Sequence, residues 1–400
     1  MQDVFESLNI QPIINAAGSI TPHGGSPVDA DIALGMAAAA QVSIDIAELQ
    51  GRASEIIAQH TGAEAGMVTS GASAGLLLGA AACMSGLDAS RMERLPDSAG
   101  MRNEFIVPRS HRNSYDHAIR AAGGRLVEVG VSDRLVGVGL RDTEAWEIER
   151  AITPQTAGVF YVARPGARPA LPLVAEVSRR ANVPIIVDAA AELPPLANLR
   201  RFVADGADLV VFSGGKALRG PSGSGILCGR RQLVASALLQ NLDLDFEYDQ
   251  WQPPGQLFDK SELGCVPRNG IGRSCKAGKE QIVGLLLALS RFAVTDDARR
   301  LEPWTMLAEE LLTELVDLPE LHARVVPDPD GRGVPLVEVS IGAGAGATAA
   351  EVAATLRAGT PSIRVDVSRT LTGVIVLVPT CLRRGDVPHI GRAFARALMP

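Results

Sequence analysis

The stretch Gly206-Ala207-Asp208-Leu209-Val210-Val211-Phe212-Ser213-Gly214-Gly215-Lys216-Ala217-Leu218-Arg219-Gly220-Pro221 constrains this chain more than any other. Leu209 to Phe212 is short, wholly apolar and rich in β-branched residues, the composition of a strand buried on both faces of a parallel sheet. The run stops at Ser213-Gly214-Gly215, where glycines permit a tight turn with unusual backbone angles and close approach to a ligand. Lys216 follows at once. The turn continues through Gly220-Pro221 and Gly223-Ser224-Gly225, and a second apolar run, Gly225 to Cys228, leads back into the core.

A lysine in such a place is costly for stability alone, because burial disfavours the ammonium form and lowers its pKa. The neutral amine is the form that attacks an aldehyde, as a Schiff-base lysine must. Taken alone, Lys216 reads as a surface lysine in a loop after an edge strand. An earlier strand changes the balance: Val183 to Val187 is apolar and ends in Asp188. Pyridoxal phosphate needs an acid beside its pyridine nitrogen, so that the ring can draw electrons from a substrate carbanion. Asp188 alone reads as a helix cap or loop carboxylate. Two buried strands that end in Asp188 and Lys216, at the carboxyl ends of one sheet, fit that cofactor.

Composition narrows the class. A chain of 400 residues suggests two or three domains, with 46% hydrophobic and 21% charged residues in the ordinary globular range. The net charge of −7 argues against a nucleic-acid partner, and the pairs Arg200-Arg201, Arg230-Arg231 and Arg383-Arg384 form no basic block. Five scattered cysteines without a CxxC pair suit reduced thiols in the cytoplasm. Met1 to Glu6 shows no basic segment leading into an apolar one, so no signal peptide is expected. The apolar runs are too short to span a membrane.

Along the chain, Pro12 to Gly18 reads as extended, and Ser19 to Pro27 as a polar loop whose His23 is either a site residue or a plain loop histidine. Residues 31–59 read as helical, with a break at Gly51. Ala65 to Thr69 reads as a strand, followed by the small residues Ser70-Gly71-Ala72 and a helix from Ser73 to Cys83. Such a helix N-terminus suits an anion such as the cofactor's phosphate; it is equally a tightly packed cap. Residues 85–102 read as an irregular exposed connection. After the strand Glu104 to Val107, His111 lies between strand end and helix start, where its ring can stack on a flat cofactor. Asn113 or Ser114 can cap the helix that runs to Ala122.

Strands at 125–129 and 157–162 alternate with helices at 142–151 and 173–181, the pattern of a parallel sheet with covering helices. Residues 241–272 are acidic, aromatic and proline-containing, and suit a lid or a subunit contact. No metal is expected there, because no glutamate closes an EF-hand pattern after Asp243, Asp245 and Asp249. A helix is expected at 274–292. The remainder reads as a small α/β unit: helix 304–315, strand 336–341, a Thr348-capped helix to Ala358, strands 363–367 and 374–378, and helix 387–398. The domain expectation is an N-terminal segment and helix at 1–50, a large domain at 51–292 and a small one at 293–400.

These residues, in this order, resemble the fold-type I pyridoxal phosphate enzymes of the selenocysteine synthase-like family, nearest the D-glucosaminate-6-phosphate ammonia-lyase branch. The resemblance rests on Ile14-Asn15-Ala16-Ala17-Gly18, Glu48-Leu49-Gln50, Thr61-Gly62-Ala63-Glu64-Ala65 and Thr69-Ser70-Gly71-Ala72. It continues through His111 to Asp116, Val187-Asp188, Ser213-Gly214-Gly215-Lys216, Ile271-Gly272-Arg273 and Lys276 to Glu280. It implies an α/β fold, with a large, mainly parallel sheet covered by helices and a smaller C-terminal α/β domain. It implies pyridoxal 5'-phosphate held by Lys216, with Asp188 at the pyridine nitrogen and His111 over the ring. Ser70, Gly71, Ala72 and Ser213 would hold the phosphate. Arg273 and Lys276 would lie near the site, and Arg364 is the candidate for a substrate carboxylate.

The resemblance also implies a homodimer or higher assembly. The implied reaction is α,β-elimination on a small amino acid or amino sugar acid, with racemisation, transamination or a non-catalytic cofactor-binding role as alternatives. Family members often carry an arginine where this chain reads Val378-Pro379-Thr380-Cys381-Leu382.

Overall fold

The apolar runs assemble into one seven-stranded sheet at the centre of the larger of two units. This computed structural model describes residues 4–131, 141–245 and 247–398. The larger unit spans 28–294, and the smaller joins 1–27 to 295–400. Residues 1–50 therefore do not form a unit of their own. Their first part belongs with the C-terminal residues, and their helices with the large sheet.

Strand β1 (Ile14–Ala16) lies in the smaller unit. The large sheet holds β2 (Ala65–Thr69), β3 (Glu104–Pro108), β4 (Arg125–Val129), β5 (Thr156–Val162), β6 (Ile185–Asp188), β7 (Leu209–Ser213) and β8 (Gly225–Gly229), in the order β2-β8-β7-β6-β5-β3-β4. β8 runs antiparallel to both neighbours, and the other pairings are parallel. Successive side chains point to opposite faces. Leu209 and Val211 enter one core with Phe160 and Ile186, while Val210 and Phe212 enter the other with Val159 and Val187. Burial on both faces is why these strands read as continuous apolar runs rather than alternating ones.

Among the helices, α1 (Val4–Ser7) opens the smaller unit. The larger unit begins with α2 (Ala30–Ala40), α3 (Ile46–Thr61), α4 (Ala72–Ser85) and α5 (Ala89–Arg94). The break between α2 and α3 falls at 41–45, where Asp45 caps α3 by accepting from the N–H groups of Ala47 and Glu48 at 2.8 and 3.0 Å. Gly51, the expected breaker, is instead buried inside α3. A Cβ there would stand 2.7 Å from Cβ of Pro254, so glycine supplies room for a crossing segment. α3 also seals the open edge of β2. The Gln50 side chain donates to the Val68 carbonyl at 2.8 Å and accepts from the Val68 N–H at 3.0 Å, and Ser54 Oγ accepts from Gly66 N–H. An amide pairing with an edge strand in this way blocks further strand addition.

Three other expectations shift. Residues 85–102 contain α5 and bury Met92, Leu95 and Met101 rather than lying exposed. The helix expected at 274–292 runs from Lys279 to Val294, after a 3-10 turn at Ile271–Cys275. In the smaller unit β9 (Leu321–Pro327), unread in the sequence, pairs antiparallel with β10 (Pro335–Ile341). β11 (Ile363–Val365) pairs parallel with β1, and β12 (Val374–Leu377) completes the β12-β10-β9 sheet. Thr348 caps its helix reciprocally with Glu351, as its spacing predicts. Among the described residues no helix is long and apolar enough to cross a membrane.

Candidate active site

Asp188, Lys216 and His111 lie at or beside the carboxyl ends of β5, β6 and β7. Asp188 ends β6, with Val162 and Val211 as its Cα partners on the two sides. It is buried, and Oδ1 accepts from the Ala190 N–H at 3.1 Å. Burial pushes its carboxyl above the usual range, partly offset by that N–H and by the nearby Lys216 charge. Lys216 is half-buried in the turn that follows β7. The turn closes on itself through Gly220 N–H to the Gly214 carbonyl and Arg219 N–H to the Lys216 carbonyl, both at 2.9 Å. The unusual backbone angle in it belongs to Arg219, at φ 57°, not to Gly214 or Gly215. Those glycines supply space: a Cβ on Gly215 would lie 2.5 Å from Cα of Ser222.

Strand β8 links this turn to the loop after β2. Gly225 is the register partner of both Thr69 and Ser213. Ser213 and the Ser70-Gly71-Ala72 loop therefore flank one residue. Gly71 takes φ +93° and α4 starts directly after it with no side-chain cap. The first-turn N–H groups of α4 are thus left to an external acceptor. Ser70 Oγ donates to the Cys275 carbonyl at 2.7 Å, which ties this loop to the segment that carries Arg273 and Lys276. Asn241, buried and not singled out in the sequence, holds the same segment by donating to the Gly272 and Cys275 carbonyls at 2.8 and 3.2 Å. Arg273 itself donates to Asp243 at 3.1 and 2.5 Å, and its hydrogen bonds hold the Asp243 carboxyl below the usual range.

His111 sits three residues beyond β3 and is buried. Its Nδ1 accepts from the Val162 N–H at 3.2 Å, so the proton resides on Nε2, which donates to the Arg168 carbonyl at 3.0 Å. Burial, with the Arg164 charge, pushes its pKa down to about 4. With both nitrogens engaged by backbone, the ring can offer a face but not a titrating atom. Tyr161 meets it edge-on at 4.6 Å and donates to the next carbonyl, that of Pro169, at 3.1 Å. A tyrosine in an otherwise apolar strand was the available signal, because a buried phenol needs a partner.

Arg364 lies in the smaller unit, half-buried on β11 opposite Asn15. Cys381, at the departure from the family pattern, is buried there, with Sγ 3.7 Å from the Gly25 carbonyl. Among the described residues no group of His, Cys, Asp and Glu is placed to hold a metal ion.

The larger unit therefore offers a buried carboxylate beside an amine, and near them an uncapped helix N-terminus. This donor and acceptor set suits a flat cationic heterocycle with an aldehyde and a phosphate, so the residues present fit pyridoxal phosphate.

Comparison with known proteins points the same way. The family model for class-V aminotransferases matches residues 135–323, and that for the DegT/DnrJ/EryC1/StrS aminotransferase family matches 53–216. A 5'-C-glycyluridine monooxygenase-decarboxylase from Streptomyces sp is 33% identical over 99% of this chain and 92% of its own. A D-glucosaminate-6-phosphate ammonia lyase from Salmonella typhimurium is 32% identical over 97% of this chain and 96% of its own. A solved structure of D-glucosaminate-6-phosphate ammonia-lyase superposes with a TM-score of 0.80 at 31% identity, covering 100% of this chain and 99% of that one.

Proposed function

Since the chain belongs to the fold-type I pyridoxal phosphate enzymes of the selenocysteine synthase-like family, we propose that it is a lyase releasing ammonia from a small amino acid or amino sugar acid. The observation that carries this reading is Asp188 at the end of β6 with Lys216 in the turn after the adjacent parallel strand β7, close enough for the lysine charge to bear on the carboxylate. When bound, pyridoxal phosphate supplies an electron sink that acidifies the substrate's α-carbon.

Each residue then has a task. Lys216 Nζ would hold the cofactor's aldehyde, and the same amine is the base placed to take a proton from the substrate's α-carbon. Asp188, buried from water, would face the pyridine nitrogen and hold its proton. His111 presents a ring face in a fixed orientation. The Ser70–Ala72 backbone and Ser213 take the phosphate; Ser70 Oγ, already donating to Cys275, adds little to that. Lys276 supplies positive charge to an acidic substrate, and Arg273 adds to it by exchanging its Asp243 partner for the substrate's acid group. Loss of the α-proton and a β-substituent, followed by hydrolysis, yields a keto acid and ammonia.

A homodimer or higher assembly is part of the same reading. It is supported by the apolar side chains Leu34, Val42, Ile44 and Ile46, which stand exposed on consecutive parts of the larger unit. Five free cysteines support a cytoplasmic setting. A second reading, oxidative decarboxylation, is favoured by the Streptomyces relative, whose identity to this chain is no lower than that of the lyase.

The test is a visible absorption spectrum of the purified protein and of a Lys216→Ala variant, followed by a screen of D- and L-amino acids and amino sugar acids. A band lost in the variant, with release of ammonia and keto acid, is the expected result. Oxygen uptake with carbon dioxide release would transfer the reaction to the second reading. A protein that takes up no cofactor would sink both.

A further inference from the structure

The smaller unit contains a cavity of about 620 Å³ that no residue of the proposed chemistry occupies. Its volume lies in the range of small-molecule sites, roughly 300–1,000 Å³. The walls come from the segment that forms β1, the loop carrying His23, and the segment from Cys381 to His389 that opens the last helix, Val387–Ala397. These walls are fixed before any ligand arrives. β1 is paired to β11. The Asn15 side chain is spent locally, donating to the Gly18 carbonyl at 2.9 Å and accepting from the Ala17 N–H at 3.0 Å. Cys381 Sγ ties the two sides by donating to the Gly25 carbonyl.

What faces the cavity is rich in donors. Among the described residues Arg383 makes no ion pair through its guanidinium. His389 Nδ1 accepts from Arg392 at 3.2 Å, which leaves Nε2 as an N–H donor backed by a second arginine. His23 adds another imidazole. The carboxylate on the wall, Asp386, already accepts the Arg383 N–H at 2.8 Å. The rest of the lining includes the aliphatic side chains of Ile13, Ile14 and Pro27. A planar fork and imidazole N–H groups in a cleft that also carries aliphatic side chains suit an anionic oxygen cluster on a small apolar body.

We propose that this cavity binds a small organic acid, a carboxylate or phosphate monoester, with its anionic group on Arg383 and His389 and its body against the aliphatic side chains. The site is built from the smaller unit alone, so its occupancy does not depend on Lys216 or on the cofactor.

The test is a titration of the full-length protein, carrying whatever cofactor it retains after removal of excess, with phenyl phosphate and with benzoate. Histidine ring signals are followed by NMR and assigned with H23Q and H389Q. Saturable shifts at His23 and His389 are expected with at least one probe. Arg383→Gln should weaken that binding at least about tenfold, and Arg383→Lys, which keeps charge but not the fork, by less. Inorganic phosphate, without the body, should bind more weakly. Unmoved His23 and His389 signals, shifts confined to His111, or equal binding by wild type and Arg383→Gln would overturn the proposal. Loss of the cofactor band in Lys216→Ala bears on the reaction and leaves these outcomes untouched.

Discussion

The backbone N–H of Val162 donates to Nδ1 of His111 at 3.2 Å, and this bond decides which ring nitrogen carries the proton. A proton on Nδ1 would expel it. The folded-state pKa, about 4, lies below the ordinary 6.5 because of burial. The unfolded chain therefore binds more protons between these values, and stability rises with pH across them. The contribution is fully present above pH 6.5 and is lost as pH falls toward 4, on the order of 3 kcal/mol in all. Thermal unfolding of the cofactor-free protein between pH 7 and 4.5 should show a steeper acid loss in wild type than in His111→Gln. Parallel curves would refute this.

Tyr161 holds the carbonyl next to the one His111 uses. Tyr161→Phe keeps the edge-on ring contact and removes the donor, leaving the Pro169 carbonyl without it. A loss of roughly 1–2 kcal/mol is expected, read as a lower denaturant midpoint at unchanged slope. The 15N signal of His111 Nε2 should move as well, which a loss of packing elsewhere would not cause.

Asp188 has its carboxyl pushed up by burial, so its charged form is penalised in the fold. A raised folded pKa adds stability below the unfolded value and loses it as pH rises. Asp188→Asn removes the penalty, so the cofactor-free variant should unfold at the same or a higher temperature at pH 7. Its ammonia release should fall about 100-fold or more. A variant that unfolds at a lower temperature yet keeps full activity would contradict both halves.

Gly225 has no room for a side chain. A Cβ would stand 2.6 Å from the Gly71 carbonyl carbon and 2.7 Å from the Ala72 nitrogen. Gly225→Ala must displace the Ser70–Ala72 loop, and apparent affinity for pyridoxal phosphate should drop at least about tenfold in equilibrium dialysis. Unchanged affinity would mean that the loop does not hold the phosphate.

Much of the large sheet could be read from the chain because β5, β6 and β7 are buried on both faces and carry their apolar signal in a few consecutive residues. Lys216 and Asp188 stood out as charges at the ends of such runs. Features set by distant partners were not legible. Gly51 looks like a breaker until Pro254 is placed beside it, and Gln50 looks like a surface amide until it meets Val68. β9 escaped because most of its residues are exposed or half-buried, and His322 and Arg324 blur its alternation. Asn241 gave no local sign, since its partners are carbonyls some thirty residues on.

Strand β2 joins the sheet through β8 alone, with a glutamine and a serine of α3 closing its other side. A nascent chain that has left the ribosome only as far as Ser224 already carries His111, Asp188 and Lys216. It still lacks the strand that brings the Ser70–Ala72 loop alongside Ser213. A fragment that stops there has the lysine and the carboxylate but nothing to hold the α4 N-terminus beside them, so it should retain pyridoxal phosphate less well than the full chain.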